Sequence, residues 1–432
     1  HGVGFGLGGL FVLTPKYFAR VRELAAQPVD TSVFDFSVLG GGGGAGSALA
    51  RNRALHAFLR IFCPVGRIGR FGWVVRHAHV SDVRRRSQEF IAPYGEEMVQ
   101  LTGRKNFLLG LEDGPDYQRQ LGFMRQVMRQ DDVARLIAPN AARLSRELID
   151  CSGGEIDAVE DLLFRVAAET CADYFGFEID DPIEFAQWLM SLSALLFADY
   201  FGNEVTHRLA LAGAKRVLQV IDSAIIRARA AYQNNSAAGP GARERAARVA
   251  RFDDTLVGRL IRLQMANPAA GPDDDDIRAI LMGTAVGYVP TGGGAGGNIL
   301  NELLDRPEWL EASRKAAAAG DDKTLGDILG EAMRFAPPID PGLPRYVART
   351  SKIGSVTFPE GCTILVASKA AMFDGRVVDE PERFNPDRKL SGDLQFGGDF
   401  LHYCVGEQIA RALLLESFKP LLGQAGLRRA SQ

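Results

Sequence analysis

The sequence of 432 residues lacks the features that mark several specialised classes of protein. It has only five cysteines and no Cys-x-x-Cys pair, which argues against a disulfide framework and against a structural zinc site. It also lacks a large excess of either charge, since 50 lysines and arginines stand against 53 aspartates and glutamates. This balance gives no sign of a nucleic acid or another polyanion as a partner.

Long hydrophobic runs are missing as well. The apolar stretch from Gly2 to Leu13 is rich in glycine and is shorter than the roughly 20 residues that a membrane helix needs. It also lacks the basic start and the small-residue cleavage site of a secretory signal. We therefore expect a cytoplasmic protein without a membrane anchor.

The patterns that are present predict a mainly α protein with a small β region. Glycine clusters indicate a glycine-rich N-terminal extension over residues 1–45, with a flexible connector over residues 40–44, followed by one domain over residues 46–432. Helical periodicity dominates from residue 115 to 266, and a basic helix is predicted over 80–90 with its charges on the outer face. The glycine-punctuated segment 93–115 is predicted to be a loop.

Two further patterns complete the predicted architecture. A long helix should begin after Pro272, because the run from Asp273 to Asp276 places carboxylates at its positive N-terminal end. Beyond residue 340, β-branched and aromatic residues lie between glycine and proline turns and predict short strands.

Three short motifs follow one another in the C-terminal part of the chain. The first contains Glu331 and Arg334, which share one face of a helix because they lie three positions apart. The second is the Pro-Glu-Arg-Phe sequence around Arg383. The third is the segment Phe396–Gly406, which contains Cys404 and is followed by a predicted helix. Free backbone N–H groups at a helix N-terminus lower the pKa of a cysteine, so Cys404 is the candidate thiolate.

In this order the motifs resemble the signature of the cytochrome P450 superfamily, and the resemblance extends over most of the chain from about residue 70. It implies the cytochrome P450 fold and a haem b (iron protoporphyrin IX) whose iron is bound by the thiolate of Cys404. It also implies a buried structural triad of Glu331, Arg334 and Arg383 that braces the haem-binding loop. A thiolate ligand donates electron density to the iron and favours O–O cleavage.

The same resemblance implies further haem contacts. His402 and Arg345 occupy positions where the family binds the haem propionates, and Tyr117 stands in place of a histidine in the helix above the haem. Tyr117 is either such a contact or an ordinary half-buried tyrosine. Leu121 stands where a propionate-binding arginine is expected, and Arg125, one turn further on, is a candidate substitute. The remaining candidate contacts in the haem loop are Phe396, Gly398 and Gly406.

The haem loop departs from the family pattern. The phenylalanine that normally lies seven residues before the cysteine is one position earlier, as Phe396, and Phe400 stands in place of a glycine. Such changes alter the surroundings of the thiolate, which tune the electronic properties of the iron.

The oxygen-activation motif of the long central helix also departs from the family pattern. Thr291 falls on the family's threonine, whereas Tyr288 replaces a glycine and Pro290 replaces the acid. Proline has neither a side-chain proton to relay nor a backbone N–H, and we expect it to kink or open the helix. The alternative is that Pro290 merely produces the distortion that the family already has beside its oxygen site. Thr291 is the candidate catalytic residue, acting alone on a water chain, although a packing role is the alternative. The glycines over 292–297 are expected to allow close approach to a neighbouring helix or to the haem, or to provide local flexibility.

The leading interpretation is a monooxygenase that inserts one oxygen atom from O2 into a small or medium apolar substrate. Its electrons would come from a separate donor such as a ferredoxin with its reductase, since no flavin- or ferredoxin-like segment is apparent. The expected apolar pocket contains Phe107, Tyr288, Val289 and Ile339. The resemblance favours a monomer.

Two other functions remain open. An enzyme that uses peroxide or rearranges a hydroperoxide needs no proton relay to dioxygen, so Pro290 and Tyr288 favour it while Thr291 argues against it. A non-catalytic haem-binding sensor is the third interpretation, and it lacks support because no signalling domain is apparent in the sequence.

Overall fold

The computed structural model describes residues 53–199, 203–236, 254–388 and 394–429. Helices predominate in these residues, and the strands are few and short, so the predicted fold class, mainly α with a small β region, is confirmed. The glycine-rich extension predicted over residues 1–45 lies outside the described residues. Among the described residues, no helix combines the length and the apolar character that a membrane crossing requires.

The helices are named here in chain order. The α-helices of the described residues are α1 (Arg53–Phe62), α2 (His77–Arg85), α3 (Gly95–Thr102), α4 (Pro115–Val127), α5 (Ala138–Cys151), α6 (Arg165–Phe175), α7 (Pro182–Phe197), α8 (Glu204–Ser236), α9 (Leu256–Ala266), α10 (Asp274–Leu304), α11 (Pro307–Ala319), α12 (Asp322–Phe335), α13 (Ser368–Ala371) and α14 (Glu407–Leu422). Shorter helical segments are the 3-10 turn Leu108–Gly110 and the π-helical segments Val133–Ile137 and Ala158–Phe164.

The strands form one five-stranded sheet and one hairpin. They are β1 (Val65–Ile68), β2 (Phe71–Val74), β3 (Phe90–Ile91), β4 (Pro344–Val347), β5 (Ser351–Ile353), β6 (Val356–Phe358) and β7 (Thr363–Val366). The sheet order is β1-β2-β7-β4-β3, with β2 parallel to β7 and the other pairs antiparallel. The sheet thereby joins the N-terminal part of the described chain to the segment after α12.

The central helix α10 begins where the acidic run predicts. The Asp273 side chain accepts a hydrogen bond from the backbone N–H of Asp276 at 2.8 Å, and the Asp276 side chain accepts one from the Asp273 backbone N–H at 3.2 Å. This reciprocal capping satisfies two backbone donors that a helix start otherwise leaves without partners. From this end α10 runs through the core and packs against α6, α7 and α12.

The expected opening of α10 at Pro290 does not occur. Helical geometry continues without interruption from Asp274 to Leu304, although proline removes the N–H that would bond to the carbonyl of Val286. Pro290 and its neighbour Val289 are buried in the core. Burial of these side chains offsets the lost backbone hydrogen bond, so tertiary packing overrides the local preference.

The glycines of α10 allow a close approach of the π-helical segment Ala158–Phe164, which agrees with one of the three expectations for this run. A Cβ atom added at Gly293 would lie 2.5 Å from Cδ1 of Phe164, and one added at Gly296 would lie 2.8 Å from Cδ2 of Leu163. Both distances are well below van der Waals contact. Tight packing between the two segments therefore offsets the weak helix propensity of glycine.

The prediction of a loop over residues 93–115 is wrong in its first part. Residues Gly95–Thr102 form α3, and Gly103 ends this helix with φ 96°, in the left-handed region. Glycine is the usual residue at this position after a helix. The glycines that indicated a loop therefore mark the two ends of a short helix.

Substitution of single glycines in α10 tests its packing. We expect Gly293→Ala to destabilise the protein by about 1–3 kcal/mol, because the methyl group overpacks against Phe164. Gly294→Ala is the matched control, since its Cβ meets no neighbour within 4 Å, and it should be neutral or stabilise by up to about 1 kcal/mol. Thermal unfolding followed by circular dichroism measures both changes, and equal shifts for the two variants would contradict the packing argument.

Candidate functional site

A cavity of about 260 Å³ is lined by α10 and by the segment around Cys404 that leads into α14. Most of the side chains that line it are apolar. The predicted site residues in its wall are Phe107, Tyr288, Thr291, Ile339, Arg345, Phe396, His402, Cys404 and Gly406. The chain thus brings together residues from distant parts of the sequence in one mainly apolar space.

Three predicted residues lie outside the cavity wall. Val289 is fully buried, because the helical rotation of about 100° per residue turns it away from the cavity that Tyr288 faces. Tyr117 and Gly398 also lie outside the wall. The expected contribution of Val289 to the pocket is therefore corrected, and Gly287 and Thr284 line the cavity from the same helix instead.

Cys404 stands immediately before α14 with its side chain open to the cavity. Its backbone N–H donates to the carbonyl of Phe396 at 2.7 Å, which closes the loop between the two residues. The exposed surface of Cys404 faces the cavity, and protein atoms enclose the thiol on its other sides. This burial raises the pKa of the Cys404 thiol, against the lowering effect of the Gly406 backbone N–H.

The raised pKa differs from the effect that a helix start alone predicts. Desolvation of the thiolate outweighs the single backbone hydrogen bond, and the carboxylate of Glu407 opposes the negative charge further. A metal ion that binds this sulfur displaces the thiol proton. Burial therefore outweighs the effect of the helix start on the pKa of the Cys404 thiol.

Glycines shape the loop that precedes Cys404. Gly397 and Gly398 have φ values of 94° and 60°, in the left-handed region that other residues adopt at a cost. A Cβ at Gly397 would also approach the carbonyl oxygen of His402 to 3.0 Å. Phe396, just before them, lies under the guanidinium of Arg411 at 4.7 Å from the ring centroid. The left-handed conformations of Gly397 and Gly398 thus let the loop fit the additional residue between Phe396 and Cys404.

His402 is oriented by the loop before α4. Its Nε2 atom lies 2.8 Å from the carbonyl oxygen of Leu111, and because a carbonyl only accepts, Nε2 carries the proton. Burial, followed by the charge of Arg345, lowers the pKa of His402 to about 4, so the ring is neutral near pH 7. In this arrangement Nδ1 is an acceptor.

Tyr117 supports the same loop. Its hydroxyl donates to the carbonyl oxygen of Leu401, and its ring packs edge-to-face on His402 with the centroids 5.8 Å apart. Of the two interpretations of Tyr117, the structure favours a buried tyrosine that positions the loop.

Two arginines face the cavity. Arg345 is on β4 and is 7% exposed, and Arg84 reaches the cavity from α2. The sequence pattern placed the basic residues of α2 on an outer face, and Arg84 was therefore missed. Periodicity identifies a charged helix but not the single charge that points inward, so the sequence held no clear signal for Arg84.

Thr291 and Tyr288 present hydroxyl groups on α10. The Thr291 hydroxyl donates to the carbonyl of Gly287, one turn earlier in the helix. The Tyr288 hydroxyl is buried without a hydrogen-bond partner among the described residues, and burial raises its pKa. The Tyr288 ring packs edge-to-face on Phe175 at a centroid distance of 6.0 Å. Among the described residues that line the cavity, none is an aspartate or a glutamate that could replace the acid missing at Pro290.

A buried ion pair supports the Cys404 segment from α12. Glu331 accepts two hydrogen bonds from Arg334, at 2.9 and 2.8 Å, and Arg334 has a side-chain exposure of 0%. Arg334 also donates to the carbonyl oxygens of Met372 and Pro381, at 3.2 and 2.9 Å. The backbone N–H of Asn385 donates to Glu331 at 2.9 Å. The pair thus ties α12 to two stretches of the chain that precede Cys404.

The third member of the predicted triad is corrected. Arg383 is exposed and pairs with Glu380 at 3.0 Å, away from Glu331. Arg388, five residues later, is 7% exposed, and its Nε lies 3.5 Å from the carboxylate of Glu331. Two arginines so close in sequence are not distinguished by a motif, because the turn between them decides which one points inward.

The comparisons with known proteins agree with this arrangement. Residues 323–414 match the profile of the family Cytochrome P450. Erythromycin C-12 hydroxylase of Saccharopolyspora erythraea is 26% identical over 345 residues, which cover 78% of this chain and 78% of the relative. The 6-deoxyerythronolide B hydroxylase of the same organism is 25% identical over 315 residues, which cover 70% of this chain and 67% of the relative.

A solved structure shows the same fold. The P450 heme domain of Tepidiphilus thermophilus matches with a TM-score of 0.72 over 95% of this chain and 93% of its own, at 17% sequence identity. At this identity the likeness concerns the fold alone.

Substitution at the buried ion pair tests its role in the fold. We expect Glu331→Gln to destabilise the protein by about 3–5 kcal/mol, because the substitution leaves the charge of Arg334 buried without a counter-charge. Arg383→Gln is the control and should change stability by no more than about 0.5 kcal/mol, since Arg383 is exposed. Urea unfolding of both variants measures the difference. A large loss of stability in Arg383→Gln would instead support the triad predicted from the sequence, with Arg383 as its third member.

Proposed function

Because the chain belongs to the cytochrome P450 superfamily, we propose that this monooxygenase inserts one oxygen atom from O2 into a small or medium apolar substrate. The observation that carries the proposal is the meeting of the Cys404 thiol and the Thr291 hydroxyl in one mainly apolar cavity. The hydroxylase relatives support it, since the same chemistry is printed in their names.

The family implies a haem-thiolate cofactor, and we take it to be haem b. The donor set of the cavity fits this group, with the Cys404 sulfur for the iron, apolar walls for the ring, and the guanidinium of Arg345 for a propionate. When bound, the haem supplies one-electron and dioxygen chemistry that no side chain provides. The chain contributes binding, orientation and control of water and protons.

The apolar wall and Thr291 have separate tasks in this proposal. Phe107, Tyr288 and Ile339 exclude water and favour a lipophilic substrate, as apolar linings do in small-molecule sites. Thr291 Oγ1, whose proton is bonded to the Gly287 carbonyl, keeps lone pairs that accept a hydrogen bond from a water in the cavity. With Pro290 in place of an acid, Thr291 holds this water alone.

Electrons would come from a separate protein. We assign this part to a ferredoxin with its reductase, because the resemblance to bacterial members of the family implies an external donor. The substrate identity is left at its chemical class, a lipophilic molecule of small or medium size.

A second candidate function is peroxide-dependent oxygen transfer. Two observations favour it: buried Pro290 has no side-chain proton, and the hydroxyl proton of Thr291 is engaged by Gly287. A reaction that begins from peroxide already contains the reduced O–O bond and needs no relay of protons to dioxygen.

The optical spectrum of the reduced protein under carbon monoxide tests the haem-thiolate part. We expect the Soret band characteristic of thiolate ligation in the native protein and its loss in Cys404→Ser. Cys151→Ser, at an exposed cysteine outside the cavity wall, is the control and should keep the band. An identical band in native protein and Cys404→Ser would mean that another residue binds the iron.

Removal of the Thr291 hydroxyl separates the two candidate functions. If dioxygen and electrons drive turnover, Thr291→Val should lower product formed per NADH consumed by about tenfold or more, because water is no longer held by a hydroxyl. Thr284→Val is the matched control, since Thr284 also lines the cavity and donates to a carbonyl of its own helix, that of Ile280, at 2.6 Å. Turnover is measured with an alkoxyresorufin as probe, first with ferredoxin and reductase and then with hydrogen peroxide. Peroxide-driven turnover that exceeds the electron-driven rate and is insensitive to Thr291→Val would favour the second function.

A further inference from the structure

Helix α4 supplies no cation to the cavity. None of its residues lines the cavity wall, and Leu121 occupies the position where the sequence comparison expects an arginine. The candidate substitute, Arg125, is exposed, and its guanidinium donates to the hydroxyl of Tyr403 at 3.2 Å. An anion in the cavity must therefore find its counter-charges on other elements.

Arg84 brings such a charge from α2. Its Nη1 donates to the carbonyl oxygen of Gly397 at 3.2 Å, and its Nη2 donates to Oγ of Ser368 at 2.8 Å. Its Nε is buried and has no hydrogen-bond partner among the described residues. These contacts hold the guanidinium between α13 and the loop before Cys404, at the wall of the cavity.

The two arginines of the cavity share no carboxylate. In the described parts of the chain, no acidic oxygen lies within 4.0 Å of Arg84 or of Arg345 that would form an ion pair with it. The pKa of Arg84 is lowered to about 10, first by burial and then by the positive charge of Arg345. The charge of Arg345 also lowers the pKa of Glu112, but burial raises that pKa more strongly.

Two enclosed guanidiniums that lack an ion-pair partner are costly, and an anion that binds between them removes this cost. A guanidinium also offers several N–H donors in a fixed plane, which suits a carboxylate. The Nε–H of Arg84 is such a donor and is free of other partners among the described residues.

We propose that Arg84 takes the place of the arginine missing from α4 and binds a propionate of the haem together with Arg345. The inference rests on the haem-binding part of the proposed function and adds a residue that the resemblance to the family does not assign. It moves one of the cofactor's anionic contacts from the helix α4 to α2, where Gly397 and Ser368 orient the guanidinium.

Haem loss from the purified ferric protein to excess apomyoglobin tests the proposal without an activity assay. We expect Arg84→Gln to accelerate haem transfer by roughly tenfold to a hundredfold, the range for a lost hydrogen bond between charged groups. Arg85→Gln is the matched control, since this neighbouring arginine is exposed and lies outside the cavity wall, and it should leave the rate within about twofold. Arg125→Gln tests the alternative anchor and should also leave the rate unchanged.

Haem dimethyl ester, which lacks the propionate charges, separates binding of the cofactor from support of the loop. If Arg84 binds a propionate, the difference between native protein and Arg84→Gln should disappear when both carry the ester. A difference of the same size with the ester would mean that Arg84 only braces Gly397, and the proposal would be wrong. Ser368→Ala, which removes one support but keeps the guanidinium, should change the rate by less than Arg84→Gln does.

The outcomes distinguish this inference from the proposed function. A native protein that binds no haem would overturn the proposed function itself. A native protein that binds haem through a thiolate, with equal haem loss in Arg84→Gln, would overturn only the role of Arg84. Faster haem loss in Arg125→Gln than in Arg84→Gln would mean that Arg125 of α4, and not Arg84, binds the propionate.

Discussion

The buried pair of Glu331 and Arg334 is the interaction on which the rest of the site depends. Arg334 is wholly enclosed, so its charge is tolerated only because the carboxylate of Glu331 and the carbonyls of Met372 and Pro381 surround it. Through these bonds α12 holds the chain at residues 372 and 381, and the Asn385 backbone N–H binds Glu331 as well. The pair thus fixes part of the chain that leads toward the Cys404 loop.

The central helix shows a second constraint, because its packing overrides the low helix propensity of several of its residues. Helix α10 contains Pro290 and a run of glycines, each unfavourable in a helix interior, and it is nevertheless continuous. Burial of the helix between α6, α7 and α12 offsets these losses, and the glycines let Phe164 and Leu163 approach its backbone. The face that remains open carries Thr291 and Tyr288 toward the cavity. This face carries no acid at Pro290. The reaction with dioxygen would therefore depend on Thr291 alone for its proton relay, whereas the reaction with peroxide needs no relay.

The polar groups at the cavity differ in whether they have a hydrogen-bond or ion-pair partner. The cavity walls are mainly apolar. Among the polar groups that reach the cavity, Thr291 and His402 are bonded to carbonyls and Lys369 is paired with Asp340, whereas the guanidiniums of Arg84 and Arg345 have no paired carboxylate among the described residues. Such a cavity suits an extended apolar group with anionic ends. The same enclosure raises the pKa of the Cys404 thiol, because burial disfavours its charged form.

Several properties were determined by the sequence alone, because they depend on short-range patterns. Periodicity, helix capping at Asp273 and the order of the motifs at Glu331 and Cys404 predicted a mainly helical fold, the start of α10 and the family. The roles of the individual site residues stay predictions. Tertiary structure alone decided that Arg388 and not Arg383 lies beside Glu331, that Val289 turns away from the cavity, and that Arg84 points into it. The physical reason is that one turn of chain moves a side chain from solvent to the interior, and only packing against distant elements selects between the two.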